Sequence, residues 1–347
     1  MRSAIVLALC LASSSAASQI SVVTDIPPIH SLAASIMEGV GKPKLLLPPG
    51  TSPHYFSLRP SDARSLQEAD VIFWVGPELT PQLSDPFEAL APQAQSIELL
   101  DTPANELLPY RDSAILNLVD DNHHDHDHTE DKHDDHDHDA HHDHAAHETE
   151  NHEEHHEHKD EHGHDEHAHE HHHDHDGNDP HAWLSPENAQ VWLDVITKTL
   201  AEADADNAET YRSNAERTKN HLKKVTSDIQ QKLQAAGAVS YVVYHDAYQY
   251  FEHFFDVPSR GAILVSDAAP PSAARIAKLR AMVQQEKVSC VFSEPQFQPK
   301  LINAVFESEN VRVGQIDPLG ALIPEGPSLY ENLLLQISDQ IAQCQER

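Results

Sequence analysis

Outside residues 123–175 the chain has only six histidines, His30, His54, His181, His221, His245 and His253, and three of them stand where strands or turns end. His54 lies in "PPGTSPHYFSLRPSDA", after a strand ending near Leu47 and before a helix starting near Pro60. His181 lies in "GNDPHAWLSPEN", just ahead of a helix, and His245 in "YVVYHDAYQYF", at the carboxyl end of a strand. Ligands of open α/β sheets gather outside the carboxyl ends of strands, so these three can converge on one cleft. Three neutral imidazoles, completed by a carboxylate or a water, match the tetrahedral preference of zinc. Asp317 in "QIDPLG" is an available carboxylate at a strand end, and Glu294 in "FSEPQF" ends its own strand in the same way. Histidines between two lobes also serve simply as hydrogen-bonding groups, and spacing alone leaves that alternative open.

The other three histidines have plainer readings. His30 follows Pro27-Pro28 at a helix start and reads as structural or exposed, His221 belongs to the polar face of a long helix, and His253 sits on a surface helix. The "EH" at Glu252-His253 lacks the HExxH spacing of a metalloprotease. Trp183, two residues after His181, is expected to pack against the following helix rather than to touch a metal.

The remaining 23 of the 29 histidines crowd into residues 123–175. Between Asp120 and Asp176 there are also 23 acidic residues against only Lys132 and Lys159, so about −21 of the formal charge of −34 is local. With almost no apolar side chains this tract cannot offset the entropy cost of ordering and is expected to be disordered. Imidazole suits borderline divalent ions such as zinc, nickel or copper, so the tract reads as a set of weak, interchangeable metal sites rather than a solvated acidic spacer.

The N-terminus, "MRSAIVLALCLASSSAASQI", has Arg2, an apolar run from Ala4 to Ala12 and then small residues, the pattern of a secretory leader cleaved after Ala17. The run is too short for a permanent transmembrane helix, and no other segment is apolar enough to cross a membrane. Leu9 before Cys10 argues against lipid anchoring. Cleavage leaves two cysteines, Cys290 and Cys344, an even pair that suggests one disulfide in an oxidising compartment. The acidic surface argues against nucleic acid.

Positioning these residues requires a particular framework. From Gln19 the chain alternates β-branched runs ("ISVVTD", "PKLLLP", "DVIFWVG", "SIELL") with helical patterns, and the alternation resumes after Gly237 with "VSYVVYHD", "RGAILV", "VSCVFSEP" and "VRVGQID". Alternation of this kind implies parallel strands with helical crossovers, hence an α/β fold with two lobes. Between them, after a break near Asp206, Ala208, Tyr211, Ala215, Thr218, Leu222, Val225, Ile229 and Leu233 recur every three or four residues until Gly237. That periodicity predicts a rigid helix about 40 Å long. The implied organisation is a leader over 1–17, a first lobe over 18–120, the His-rich insertion over 121–176, a return over 177–184, a linker helix over 185–237 and a second lobe over 238–347.

"GTSPHYFSLRPSDA", "DPHAWLSPENA", "YHDAYQYF", "FSEPQF" and "IDPLG" together resemble the metal-binding proteins that feed bacterial ABC importers, most closely the ZnuA-like zinc members. The resemblance runs in order through nearly the whole mature chain, including the His-rich insertion and the cysteine pair. It implies a periplasmic solute-binding protein, not an enzyme, with two (β/α) lobes, parallel-rich sheets and one Zn2+ held in the interlobe cleft by His54, His181 and His245. It further implies a monomer that delivers its ion to a membrane permease. Manganese members have a carboxylate where His245 stands and use two carboxylates overall, so a third imidazole favours zinc. Pro53 stands where some zinc members have Glu, which leaves water or Asp317 as the fourth ligand, with water preferred and Asp317 supplying charge. Other readings are a manganese-importer protein, a zinc store built on the tract, or a secreted zinc hydrolase with Glu294 as base; no nucleophile or oxyanion motif accompanies the last.

Deleting residues 121–176 is expected to leave the fold and one tight zinc site, because a polar loop adds no core, and to abolish the weaker sites. Calorimetric zinc titration of intact and deleted proteins checks this. Loss of the tight site together with the weak ones would contradict it.

Overall fold

A computed structural model describes residues 19–111, 177–264, 272–297, 302, 305–306 and 311–344. The leader, the insertion over 121–176 and the properties expected of them lie outside the described residues. The described residues all belong to one compact unit, with two sheets inside it.

The first lobe is built on β1 (Val22–Thr24), β2 (Lys44–Leu45), β3 (Val71–Trp74) and β4 (Gln95–Glu98) in the order β2-β1-β3-β4, every pairing parallel. β1 and β3 are buried throughout, as unbroken apolar runs in a parallel sheet covered on both faces should be. Helices α1 (Pro27–Ile36), α2 (Pro60–Gln67) and α3 (Ser84–Leu90) make the crossovers. The second lobe repeats the plan with β5 (Tyr241–His245), β6 (Ala262–Leu264), β7 (Cys290–Ser293) and β8 (Arg312–Gln315), ordered β6-β5-β7-β8 and again all parallel. Its helices include α6 (Gln249–Phe255), α7 (Ala273–Gln285) and, at the end of the chain, α8 (Leu329–Ala342).

The helical linker expected over 185–237, with its break near Asp206, is two helices, α4 (Pro186–Ala203) and α5 (Ala208–Ala236), with a 3-10 turn over Ala205–Asn207 at the break. They form an antiparallel hairpin: the Gln190 side chain donates to the Lys219 carbonyl at 3.2 Å, and Lys219 Nζ reaches Asp194 at 2.6 Å. The break at Asp204 is made by side chains. Its carboxylate accepts from Asn207 at 2.8 Å and from the Tyr211 hydroxyl at 2.7 Å, competing with continued helix. Ser185 caps the start of α4 by accepting from Asn188 N at 3.2 Å, with Pro186 in the first turn. Gly237, at φ 73°, ends α5 in the region that favours glycine.

Helix α5, 29 residues or about 44 Å long, runs against α1 of the first lobe and α8 of the second. Its buried stripe contains Ala208, Tyr211, Ala215, Leu222, Val225, Ile229 and Leu233, and also Asn214. That asparagine donates to the carbonyls of Ile36 and Glu38 at 2.8 and 2.9 Å, satisfying the end of α1 in the first lobe. Farther along, His221 meets Glu331 at 2.7 Å and Lys232 pairs with Asp339, both on α8 of the second lobe. One apolar core continues from β1 through α1, α4 and α5 to α8. His30, buried, has Nε2 3.2 Å from the Pro43 carbonyl and is structural.

Cys290 and Cys344 form a disulfide, Cα–Cα 5.8 Å, that ties the start of β7 to the second residue after α8. Its sequence separation of 54 corresponds, in the chain-entropy model, to about 4 kcal/mol. Cys344→Ser is therefore expected to lower stability by about that amount and so lower the denaturant midpoint, with a slope no shallower than before because the uncrosslinked chain exposes more surface. An unchanged midpoint, or two reactive thiols in unreduced denatured protein exported to the periplasm, would contradict this.

Candidate metal centre

In the order β6-β5-β7-β8 the chain leaves β5 first toward one side and then crosses to the other, so the carboxyl ends of β5 and β7 flank a switch point, where a crevice opens. His245 is the last residue of β5, and Glu294 follows the last residue of β7. Their side chains meet there, His245 Nδ1 to Glu294 Oε1 at 2.7 Å, and both are buried. A carboxylate only accepts, so Nδ1 carries the proton and the Nε2 lone pair is directed away from Glu294.

His181 is arranged in the same way. Its Nδ1 lies 2.6 Å from Asp179 Oδ1, which also accepts from the His181 backbone N–H at 3.0 Å. Asp179 is fixed in turn by the Tyr250 hydroxyl on α6, which donates to the Asp179 carbonyl at 2.8 Å and accepts from Leu108 N at 3.0 Å. The result is a buried imidazole whose Nε2 has no hydrogen-bond partner. An orphaned lone pair of this kind is costly unless something binds it.

His54, half-buried, comes from the loop after β2. Its backbone N–H donates to Ser52 Oγ at 3.3 Å, and Gln82 donates to the Pro53 carbonyl at 2.8 Å, holding the loop against the 3-10 turn at Pro81–Leu83. The rings of His54 and His181 are 5.6 Å apart and those of His181 and His245 5.4 Å, and the candidate ligand nitrogens of all three lie within 4.8 Å of one another. One ion can bridge such a set, and it is the only one of three or more possible ligands found among the described residues.

Asp317 is not brought into that set. It is buried nearby, but its Oδ1 accepts from Leu319 N at 2.9 Å and from Gln296 at 2.8 Å, and its Oδ2 accepts from Ala321 N, so the carboxylate secures a turn. The equivalent crevice of the first lobe is also closed by a carboxylate. Asp25, wholly buried after β1, accepts from Ile26 N at 2.7 Å and Val75 N at 2.8 Å, and burial pushes its pKa up to about 7. Trp183 is fully buried with its ring centroid 5.2 Å from that of His181, and it donates to the Pro318 carbonyl of the second lobe at 2.7 Å.

Sequence reasoning identified all three histidines and marked Glu294 as a terminal carboxylate, without its pairing to His245. It missed Asp179 and Tyr250. Asp179 had a local signal, since an acidic residue two positions before a histidine in "DPHAW" can bond both its backbone and its ring; Tyr250 had none.

Comparison with known proteins agrees with this picture. The family described as "Zinc-uptake complex component A periplasmic" matches residues 22–344. The high-affinity zinc uptake system protein ZnuA of Paracoccus denitrificans is 42% identical over 324 residues, covering 93% of this chain and 91% of that protein. The ZnuA of Brucella abortus is 39% identical over 323 residues, with the same coverage. Among solved structures, the periplasmic zinc-binding protein TroA from Treponema pallidum superposes with TM-score 0.69 at 19% identity, over 95% of this chain and 100% of that one. A zinc-bound deletion mutant of ZnuA gives 0.68 at 18%, over 95% and 99%. These two likenesses concern the fold.

If the buried carboxylates orient the imidazoles, Asp179→Asn and Glu294→Gln should each weaken Zn2+ binding by about tenfold or more, because an amide accepts more weakly from Nδ1–H and removes a compensating charge. Chelator competition measures this. Wild-type affinity in both variants would show that the pairs do not orient the site.

Proposed function

The chain belongs to the ZnuA family of periplasmic zinc-uptake components, and from that membership we propose that it captures Zn2+ through His54, His181 and His245 and surrenders it to the membrane permease of a zinc ABC importer. It is a solute-binding component and not an enzyme. The observation that carries the ligand assignment is the convergence of three imidazoles, two of them fixed at Nδ1 by buried carboxylates and one with an orphaned Nε2.

Three neutral imidazoles leave the charge of the ion uncompensated. Asp179 and Glu294, behind the rings, supply two negative charges without occupying coordination positions. That arrangement raises ligand basicity and keeps the inner sphere nitrogen-rich. Manganese prefers oxygen ligands, and the set offers none, which favours zinc. A water fills the fourth position in this reading, with Asp317 contributing charge from behind its turn.

The protein acts in the periplasm as a monomer after removal of residues 1–17. No helix among the described residues is long and apolar enough to cross a membrane. The His-rich insertion adds weak sites and is accessory to the tight one.

His245→Ala, examined with residues 121–176 deleted so that weak sites cannot mask the loss, should weaken zinc binding far more than replacement of any single insertion histidine. His245→Glu should shift relative preference toward manganese without creating a good manganese site. Competition against a chelator measures both, and unchanged zinc affinity in His245→Ala would overturn the ligand set.

A further inference from the structure

His181 and His245 border two unlike cavities. One is a cavity of about 10 Å3 whose surface is mostly apolar, from Pro53, Trp183, Phe297, Pro318 and Leu319, although Ser52, Glu294 and Gln296 also border it. That is roughly the space one water requires. Phe297 stacks on Tyr244, centroids 4.5 Å apart, and Trp183 is hydrogen-bonded to Pro318 across the lobes, so passage through it would require unpacking the core. All three histidines line the other, a cavity of about 110 Å3, large enough for several waters. Its remaining walls carry charged groups beside Tyr110, Pro180 and Gln249. Glu78, Asp179 and Asp246 line it together with one cation, Arg111, whose guanidinium is held by Glu252 at 2.8 Å and Asp246 at 3.5 Å. The unpartnered His181 Nε2 belongs to a ring in its wall. Glu78 is exposed, whereas Asp246 is largely buried, so negative groups extend inward from the surface to the histidines.

We propose that this larger cavity is the passage through which Zn2+ reaches and leaves the three histidines, shedding and regaining water against carboxylates, while the smaller cavity stays closed. The inference rests on the three-histidine reading and adds a route and its groups. A hydrated dication is poorly accommodated by an apolar wall but is attracted and partly resolvated by carboxylates that face a wet space. Arg111 does not block the route electrostatically, because two carboxylates neutralise it. Tyr110–Arg111 and Asp179–Pro180 in the wall belong to the two chain segments flanking residues 112–176.

The test is stopped-flow zinc exchange, with release followed by transfer to a chromophoric chelator. Gln249 lines the passage without taking part in the ligand set or its supports. Gln249→Trp should narrow the passage and slow association and release together by about tenfold, leaving Kd within about twofold. Glu78→Gln should slow association about two- to threefold at low salt, with the difference vanishing at high salt. Exchange at the wild-type rate in Gln249→Trp, whatever Glu78→Gln does, overturns the passage, as does weakened affinity in Gln249→Trp without slower release. Wild-type affinity and its loss in His245→Ala, measured alongside, report on the ligand set separately, so either conclusion can fail without the other.

Discussion

The site depends on burying imidazole rings whose inner nitrogens are already committed. His181 and His245 each donate through Nδ1 to a buried carboxylate, at 2.6 and 2.7 Å, which fixes tautomer and ring plane together. At His181 what is left is Nε2, a buried acceptor without a hydrogen-bond partner. An orphaned acceptor buried at His181 carries a desolvation cost that an ion recovers on binding. Affinity in this arrangement comes from organisation completed before the ion arrives, and the ring orientations need little adjustment afterwards.

The fold supplies the two carboxylates from different places. Glu294 comes from the switch point of the second sheet, where the ends of β5 and β7 diverge. Asp179 comes from the segment leading into α4 and is fixed by Tyr250 of the second lobe. The first sheet has the same strand order, yet Asp25 at its switch point is occupied by the amides of Ile26 and Val75 and binds nothing further. One lobe therefore closes its crevice with a carboxylate while the other uses one to aim a histidine. The first lobe contributes through the loop after β2, where His54 is the least buried of the three histidines. Helix α5, packed against α1 and α8, connects these contributions and limits their relative displacement.

Much of this was readable in the sequence because the signals are local. Unbroken apolar runs ending in His245 or Glu294 locate strand ends directly. The break near Asp206 was readable too, but the folding back of α5 on α4 was not, since periodicity on either side does not give the angle of a turn made by Asp204, Asn207 and Tyr211 side chains. Periodicity likewise placed Thr218 on the buried stripe, where Asn214 is the polar residue that is buried, because its amide finds two carbonyls at the end of α1. Asp317 was read, from its position at a strand end, as the alternative to water for the fourth ligand or as a nearby charge, and position cannot reveal that nearby amides already hold its oxygens. Arg111 and Tyr250 act only through tertiary pairing and carry no pattern in the chain.

The most direct measurement of the central claim is X-ray absorption at the zinc edge of the protein lacking residues 121–176, loaded with one equivalent of Zn2+. A four-coordinate shell of nitrogen and oxygen scatterers at about 2.0–2.1 Å, with the outer-shell signature of three imidazole rings, is the expected result. Fewer than three imidazoles, or a six-coordinate shell dominated by oxygen, would contradict it.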